Sequence, residues 1–171
     1  MRRYLLFALT LLLIAAVVGF IFQQWQNLRP PKVDKILVEK GTRRLTLLFG
    51  SRKLKEYHIA LGFSPIGPKE REGDGRTPEG IYTIDFHKPE SAFHRALHIS
   101  YPSAQDNARA VEAGVSPGGD IMIHGFPNGL GALSAAYRLR DWTAGCIAVT
   151  DPEIDEIYAS VNDGTLIEIL P

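Results

Sequence analysis

One thiol and five imidazoles are the side chains in this 171-residue chain whose chemistry is weighed first. The thiol is Cys146, in "RDWTAGCIAVTD" (residues 140–151), after a glycine and ahead of a β-branched exit. A lone cysteine cannot close an internal disulfide. It fills a core, pairs with a second chain, or acts as a nucleophile. The last role needs a base to draw off the proton and N–H donors to hold the oxyanion that forms.

Four of the histidines read as structural. In "LKEYHIAL", His58 alternates with Tyr57, Ile59 and Leu61 and faces outward or lies at an edge. His87 sits in the polar stretch "DFHKPES", read as a loop. His94 and His98 are four apart, a spacing that suits two metal ligands on a helix, but "ALHIS" reads as strand. No third ligand is evident, so neither a metal nor a cofactor is expected. His124 differs, because it ends the apolar strand "DIMIHG" at a glycine turn. A histidine at a strand exit projects into the loops where sites are built, and Gly125 permits close approach of backbone or ligand. The alternative is a half-buried ring bonded to a turn carbonyl. Twenty-two residues later "TAGC" forms a second glycine-tightened turn, which could bring thiol and imidazole together.

"IHG" followed by "TAGC", together with "IALGFSPIGPKEREGDGRTPEGIYTI" and its T-P-x-G-x-Y ending, resembles the L,D-transpeptidase catalytic domain, the YkuD-like fold. The resemblance implies a β-rich domain in which the Cys146 thiolate attacks a peptidoglycan stem peptide. It gives His124 the part of general base and acid, with the Gly125 carbonyl orienting the imidazole. The N–H groups of Gly145 and Cys146 become oxyanion donors, and Thr143 supports the turn or contacts substrate. Two positions depart from the pattern. Ala144 stands where many members have histidine, and Ala148 where many have arginine. Loss of that arginine leaves Arg138, Arg140 or Arg76 as candidates to bind the substrate carboxylate. The implied reaction is acyl transfer. Cys146 takes the third residue of a stem tetrapeptide, typically meso-diaminopimelate, expels D-alanine and passes the acyl group to an amine. An L,D-carboxypeptidase or amide hydrolase on the same scaffold, or a non-catalytic peptidoglycan-binding module, are the alternatives.

Several elements must position these residues. Apolar stretches at 36–38, 45–49 and 57–61, parted by Gly41-Thr42 and Gly50-Ser51, read as consecutive strands. The punctuated segment that follows reads as a solvated loop or as the wall of a substrate groove. Strands are expected at 81–84, in "RALHISYP", in "DIMIHG" and in "GTLIEIL". "SAQDNARAVEAG" suits a short helix ended by Gly114, and "DPEIDEIYASV" an amphipathic helix with Asp151 as N-cap. The expected fold is mainly β, a sandwich or partly open barrel with short helices, over residues 34–171.

Ahead of it, residues 4–22 run uncharged and largely apolar behind Arg2 and Arg3. That length spans roughly 28 Å as a helix, close to a bilayer's hydrocarbon core. An N-terminal transmembrane helix over residues 1–22 is therefore expected, with a cleaved signal segment as second choice, and a linker over 23–33. The arginines favour a cytoplasmic N-terminus, which puts the domain in the periplasm or cell-wall space. Without Arg2 and Arg3 the chain is net −2. That balance excludes a nucleic-acid partner, which would want a basic stripe.

Overall fold

A computed structural model describes residues 12–23, 32–133 and 140–171. Arg138, Trp25 and residues 4–11 of the expected anchor lie outside the described residues. Helix α1 (12–23) belongs to the N-terminal unit, and its Leu13, Val17, Phe20 and Ile21 are all exposed. Among the described residues no helix is long and apolar enough to cross a membrane.

The second unit, Lys32–Pro171, is mainly β. Its elements are β1 (Lys35–Glu39), β2 (Arg44–Phe49), β3 (Arg52–His58), β4 (Gly80–Ser91), β5 (His94–Ile99), α2 (Ala104–Glu112), β6 (Met122–His124), β7 (Ile147–Ala148), α3 (Asp151–Ser160) and β8 (Leu166–Leu170). The strands lie in the order β3-β2-β1-β8-β4-β5-β6-β7. Strand β4 joins the two halves: Gly80–Thr83 pair with β8, and Ile84–Ser91 pair with β5 through two register shifts. Bulges bend a strand and sharpen its twist, so a strand this long can turn the corner. The chain after β3 then meets the far edge. Ala60 and Ala148 exchange backbone bonds of 2.9 and 2.8 Å, and Thr143 N–H donates to the Leu61 carbonyl at 3.1 Å. The sheet curls into a partly open barrel.

Alternation fills its interior. Ile36 and Val38 of β1, Ile167 and Ile169 of β8, Leu97 and Ile99 of β5, Ile123 of β6 and Ile147 of β7 are fully buried or nearly so. Each such side chain contributes about 1.5–3 kcal/mol on leaving water. Helix α3 adds Ile154 and Ile157 to the same core.

Several expectations shift. His87 lies inside β4 rather than in a loop, because the polar residues that suggested a turn continue the ladder with β5. Ala60, which alternation puts on the same side as His58, is nevertheless buried, paired with Ala148. Thr150, not Asp151, caps α3: its N–H and hydroxyl both donate to the Glu153 carboxylate, at 2.9 and 2.7 Å. The helix Ala104–Glu112 is capped by Ser103 and followed by Gly114 at φ +68°, where glycine accepts the left-handed turn.

Candidate active site

The two glycine turns meet because β6 and β7 are parallel neighbours, with Ile123 opposite Ile147 and His124 opposite Ala148. Side chains alternate across a strand, so Ile123 and Ile147 enter the core while Met122, His124 and Cys146 share the opposite face. There Cys146 and His124 line one cavity of about 450 Å³. Phe93 and Trp142 wall it, their rings 4.6 and 5.8 Å from the His124 ring.

His124 is 4% exposed, and its Nδ1 lies 2.7 Å from the Gly125 carbonyl oxygen. A carbonyl only accepts, so Nδ1 carries the proton and Nε2 keeps its lone pair. Burial pushes the imidazole below its ordinary pKa, and the Gly125 carbonyl offsets this only in part. The ring is therefore neutral near physiological pH, which suits a base. Its turn is clamped from two sides. Gly125 N–H donates to the Phe93 and Arg95 carbonyls at 3.1 and 3.3 Å, and Phe126 N–H donates to Asp151 Oδ1 at 2.7 Å. A Cβ on Gly125 would lie 2.7 Å from that same Asp151 oxygen, so a side chain there would have to displace the carboxylate that holds the turn.

Cys146 is partly buried, and its Sγ sits 3.5 Å from the Asp120 carbonyl oxygen, as donor. Burial raises the thiol's pKa, against a smaller lowering by the Met122 N–H. At rest the pair is thiol and neutral imidazole.

The turn carrying Cys146 is fixed by Thr143. Its hydroxyl donates to the Cys146 carbonyl at 2.7 Å and accepts the Gly145 N–H at 3.2 Å. Thr143 also lines the cavity, but its hydroxyl is held by the turn. Gly145 has φ +139°, and a Cβ there would lie 2.7 Å from the Arg76 carbonyl oxygen. With the Gly145 N–H given to Thr143, the Cys146 N–H is left as the oxyanion donor that the resemblance implies. Upstream, Asp141 receives Arg43 at 2.7 Å and the Leu61 N–H at 2.9 Å, tying the turn to the barrel.

Of the expected arginines, the two among the described residues do not line the cavity. Arg140 is exposed and Arg76 binds the Glu70 carboxylate at 3.0 Å, and neither is part of the lining. The lining instead includes Lys88. Lys88 follows His87 in β4, so strand alternation separates the two side chains, which the polar stretch "DFHKPES" does not reveal by itself. The other histidines are engaged elsewhere: His87 with Asp163 at 2.6 Å, His94 with Asp155 at 3.0 Å and His98 with Asp85 at 2.6 Å, while His58 is exposed. No group of three or more His, Cys, Asp or Glu able to hold a metal occurs among the described residues.

The long segment after β3 reaches the site from the far side. Lys69, Glu72 and Gly73 line a second cavity of about 330 Å³ that also borders Cys146. Lys69 is 4% exposed and bound to Asp74 at 2.9 Å.

A family model of the L,D-transpeptidase catalytic domain (YkuD) matches residues 34–169. The chain belongs to that family. An Escherichia coli K12 relative, YafK, is 32% identical over 141 residues, covering 80% of this chain and 50% of its own; its name gives L,D-transpeptidase as an assignment still to be proven. The chain thus spans about half the length of the curated relatives it matches. The helical cell shape determining protein Pgp2 of Campylobacter jejuni is 26% identical with a TM-score of 0.63, covering 81% of this chain and 48% of Pgp2. An L,D-transpeptidase of Mycobacterium smegmatis shares the fold, with a TM-score of 0.54 at 13% identity over 80% of this chain and 58% of its own.

Proposed function

We propose that this member of the L,D-transpeptidase family is a cysteine acyltransferase acting on peptidoglycan stem peptides. The observation that carries this is the shared cavity of Cys146 and His124, with the imidazole held in the tautomer that leaves Nε2 free. Substrate entry draws the thiol from the Asp120 carbonyl toward Nε2, which takes its proton. The thiolate attacks the carbonyl of the third residue of a tetrapeptide, and the oxyanion rests on the Cys146 N–H. Collapse expels the terminal D-alanine, whose nitrogen takes the proton from Nε2, and a thioester remains. An incoming amine then attacks the thioester, its proton passes to Nε2, and the thiolate leaves and is reprotonated. The chemistry asks for no cofactor. In this reading Lys88, rather than an arginine, meets the donor's carboxylate.

The same reading has the domain working outside the cytoplasm. The apolar run at residues 4–22 behind Arg2 and Arg3 supports either a membrane anchor or an export signal. Kinship to a cell-shape protein supports a place in wall remodelling. The test is to incubate the full chain with a defined tetrapeptide muropeptide, with and without a second stem peptide bearing a free diaminopimelate amine. Mass spectrometry should show a cross-linked dimer. Rapid release of tripeptide with no dimer at millimolar acceptor would move the protein to the carboxypeptidase alternative.

A further inference from the structure

Two cavities flank Cys146, and among the described residues three border both: Asp120, Ala144 and Cys146 itself. Ala144 offers no polar group, so Asp120 supplies the charge at the junction. Its backbone is in the left-handed region at φ +55°, unusual for a residue with a side chain, and its carbonyl is the one that receives the Cys146 thiol. Such backbone strain at a functional position calls for an explanation. Its carboxylate is 90% exposed. His98 Nε2 lies 3.8 Å away, beyond hydrogen-bond reach, and that ring is itself held by Asp85 and stacked on Phe86. The acceptor capacity of Asp120 is thus left for a ligand.

The charges on the two sides differ. The cavity with His124 includes Lys88, which suits a donor peptide bearing a carboxylate. In the other, the Lys69 ammonium is taken up by Asp74 and the Arg71 carbonyl, and Glu72 lines the wall. We infer that Asp120 is the residue that selects the second substrate, its carboxylate binding the ammonium of the incoming stem peptide beside the thioester. The inference rests on the transpeptidase reading. The contact is non-covalent: a nearby anion raises the local concentration of cationic acceptor and orients it, and the amine sheds its extra proton to solvent before attack.

Asp120→Asn tests this, because asparagine tolerates the left-handed backbone as aspartate does while removing the charge. The full chain is first acylated by tetrapeptide donor, then the thioester is partitioned between water, stem-peptide acceptor and hydroxylamine, a nucleophile that is neutral near physiological pH. Hydroxylamine capture, taken per thioester formed, should stay within about twofold of wild type. The acceptor concentration for half-maximal dimer should rise about 5- to 10-fold, the range of a partly screened charge-assisted contact. Asp120→Glu should recover part of the loss. If wild type forms dimer and Asp120→Asn does so with unchanged acceptor dependence, the inference is overturned. Equal slowing of donor acylation, hydroxylamine capture and dimer formation also overturns it, since that marks a structural role for the turn. If wild type releases tripeptide and never forms dimer, the transpeptidase reading fails and the inference with it.

Discussion

Gly145→Ala should damage both the fold and the site, and its effect can be worked from the geometry. A methyl at φ +139° occupies backbone space that side chains rarely enter, which costs on the order of 1–3 kcal/mol. The same methyl would lie 2.7 Å from the Arg76 carbonyl oxygen and 3.2 Å from Ile121 Cδ1. The Ile121 side chain can yield, but Arg76 cannot move freely because its N–H is bound to Asp74 at 3.0 Å. Forcing it aside adds about 1 kcal/mol or more, for an overall destabilisation of about 2–4 kcal/mol. In a domain of this size the melting temperature should fall by roughly 6–15 °C. Displacing the thiol also spoils its alignment, so acylation should slow at least about tenfold. Thermal unfolding by circular dichroism reads the first effect, and intact-mass kinetics with a carbapenem reads the second. Gly41→Ala is the control, since its methyl meets only the Pro171 carbonyl, at an ordinary 3.6 Å. A melting point for Gly145→Ala within about 2 °C of wild type, with normal acylation, would refute the reasoning.

Other substitutions separate the roles of neighbouring groups. His124→Ala should slow acylation by at least about 10²-fold, whereas alanine at His58, His94 or His98 should change it far less. Because burial lowers the pKa of His124 and raises that of Cys146, the acylation rate should climb from below the usual histidine range into the alkaline range of the thiol. A profile flat from mildly acidic pH upward would instead mark a preformed thiolate. Folding linkage has a matching sign: the neutral His124 contributes stability above the ordinary histidine pKa, and this is lost as pH falls through the lowered value. Asp74→Asn should cost about 3–5 kcal/mol in urea unfolding, because it leaves the Lys69 ammonium buried without its partner. Against the raising effect of burial, Lys69 and the N–H groups of Glu70, Arg71 and Arg76 hold Asp74 at about 2. Its stabilisation is therefore present above the ordinary value of 3.8 and fades as pH falls toward about 2, an acid limb that Asp74→Asn should lack.

His124 and Cys146 stood out because each sits at a glycine turn, His124 after an apolar run and Cys146 ahead of one, while their pairing as base and nucleophile is what the family resemblance implies. The first strands were legible in the apolar stretches at 36–38, 45–49 and 57–61 and the glycine turns that part them. What escaped was non-local. Strand β7 is two residues long and exists only because Ile147 and Ala148 pair with β6 on one side and Ala60 on the other. No window of sequence carries that. Lys88 was hidden because the polar stretch around His87 looks like a loop until β5 pairs with it. Arg76 was a candidate carboxylate binder only as a replacement for the arginine that the family resemblance leads one to expect at Ala148; its nearness to the site is through its carbonyl under Gly145, while its guanidinium serves Glu70. Asp151 kept its value but changed its task, from capping its own helix to holding the Phe126 N–H beside His124.

The central claim is that Cys146 carries the acyl group. The measurement that tests it most directly is intact-protein and peptide mass spectrometry of the full chain quenched in acid after mixing with a defined tetrapeptide donor. The account predicts an adduct equal to the donor less D-alanine, located on the peptide containing Cys146, released by hydroxylamine and missing from a Cys146→Ala variant with unchanged circular dichroism. Donor turnover by Cys146→Ala, or an adduct on any other residue, would contradict it.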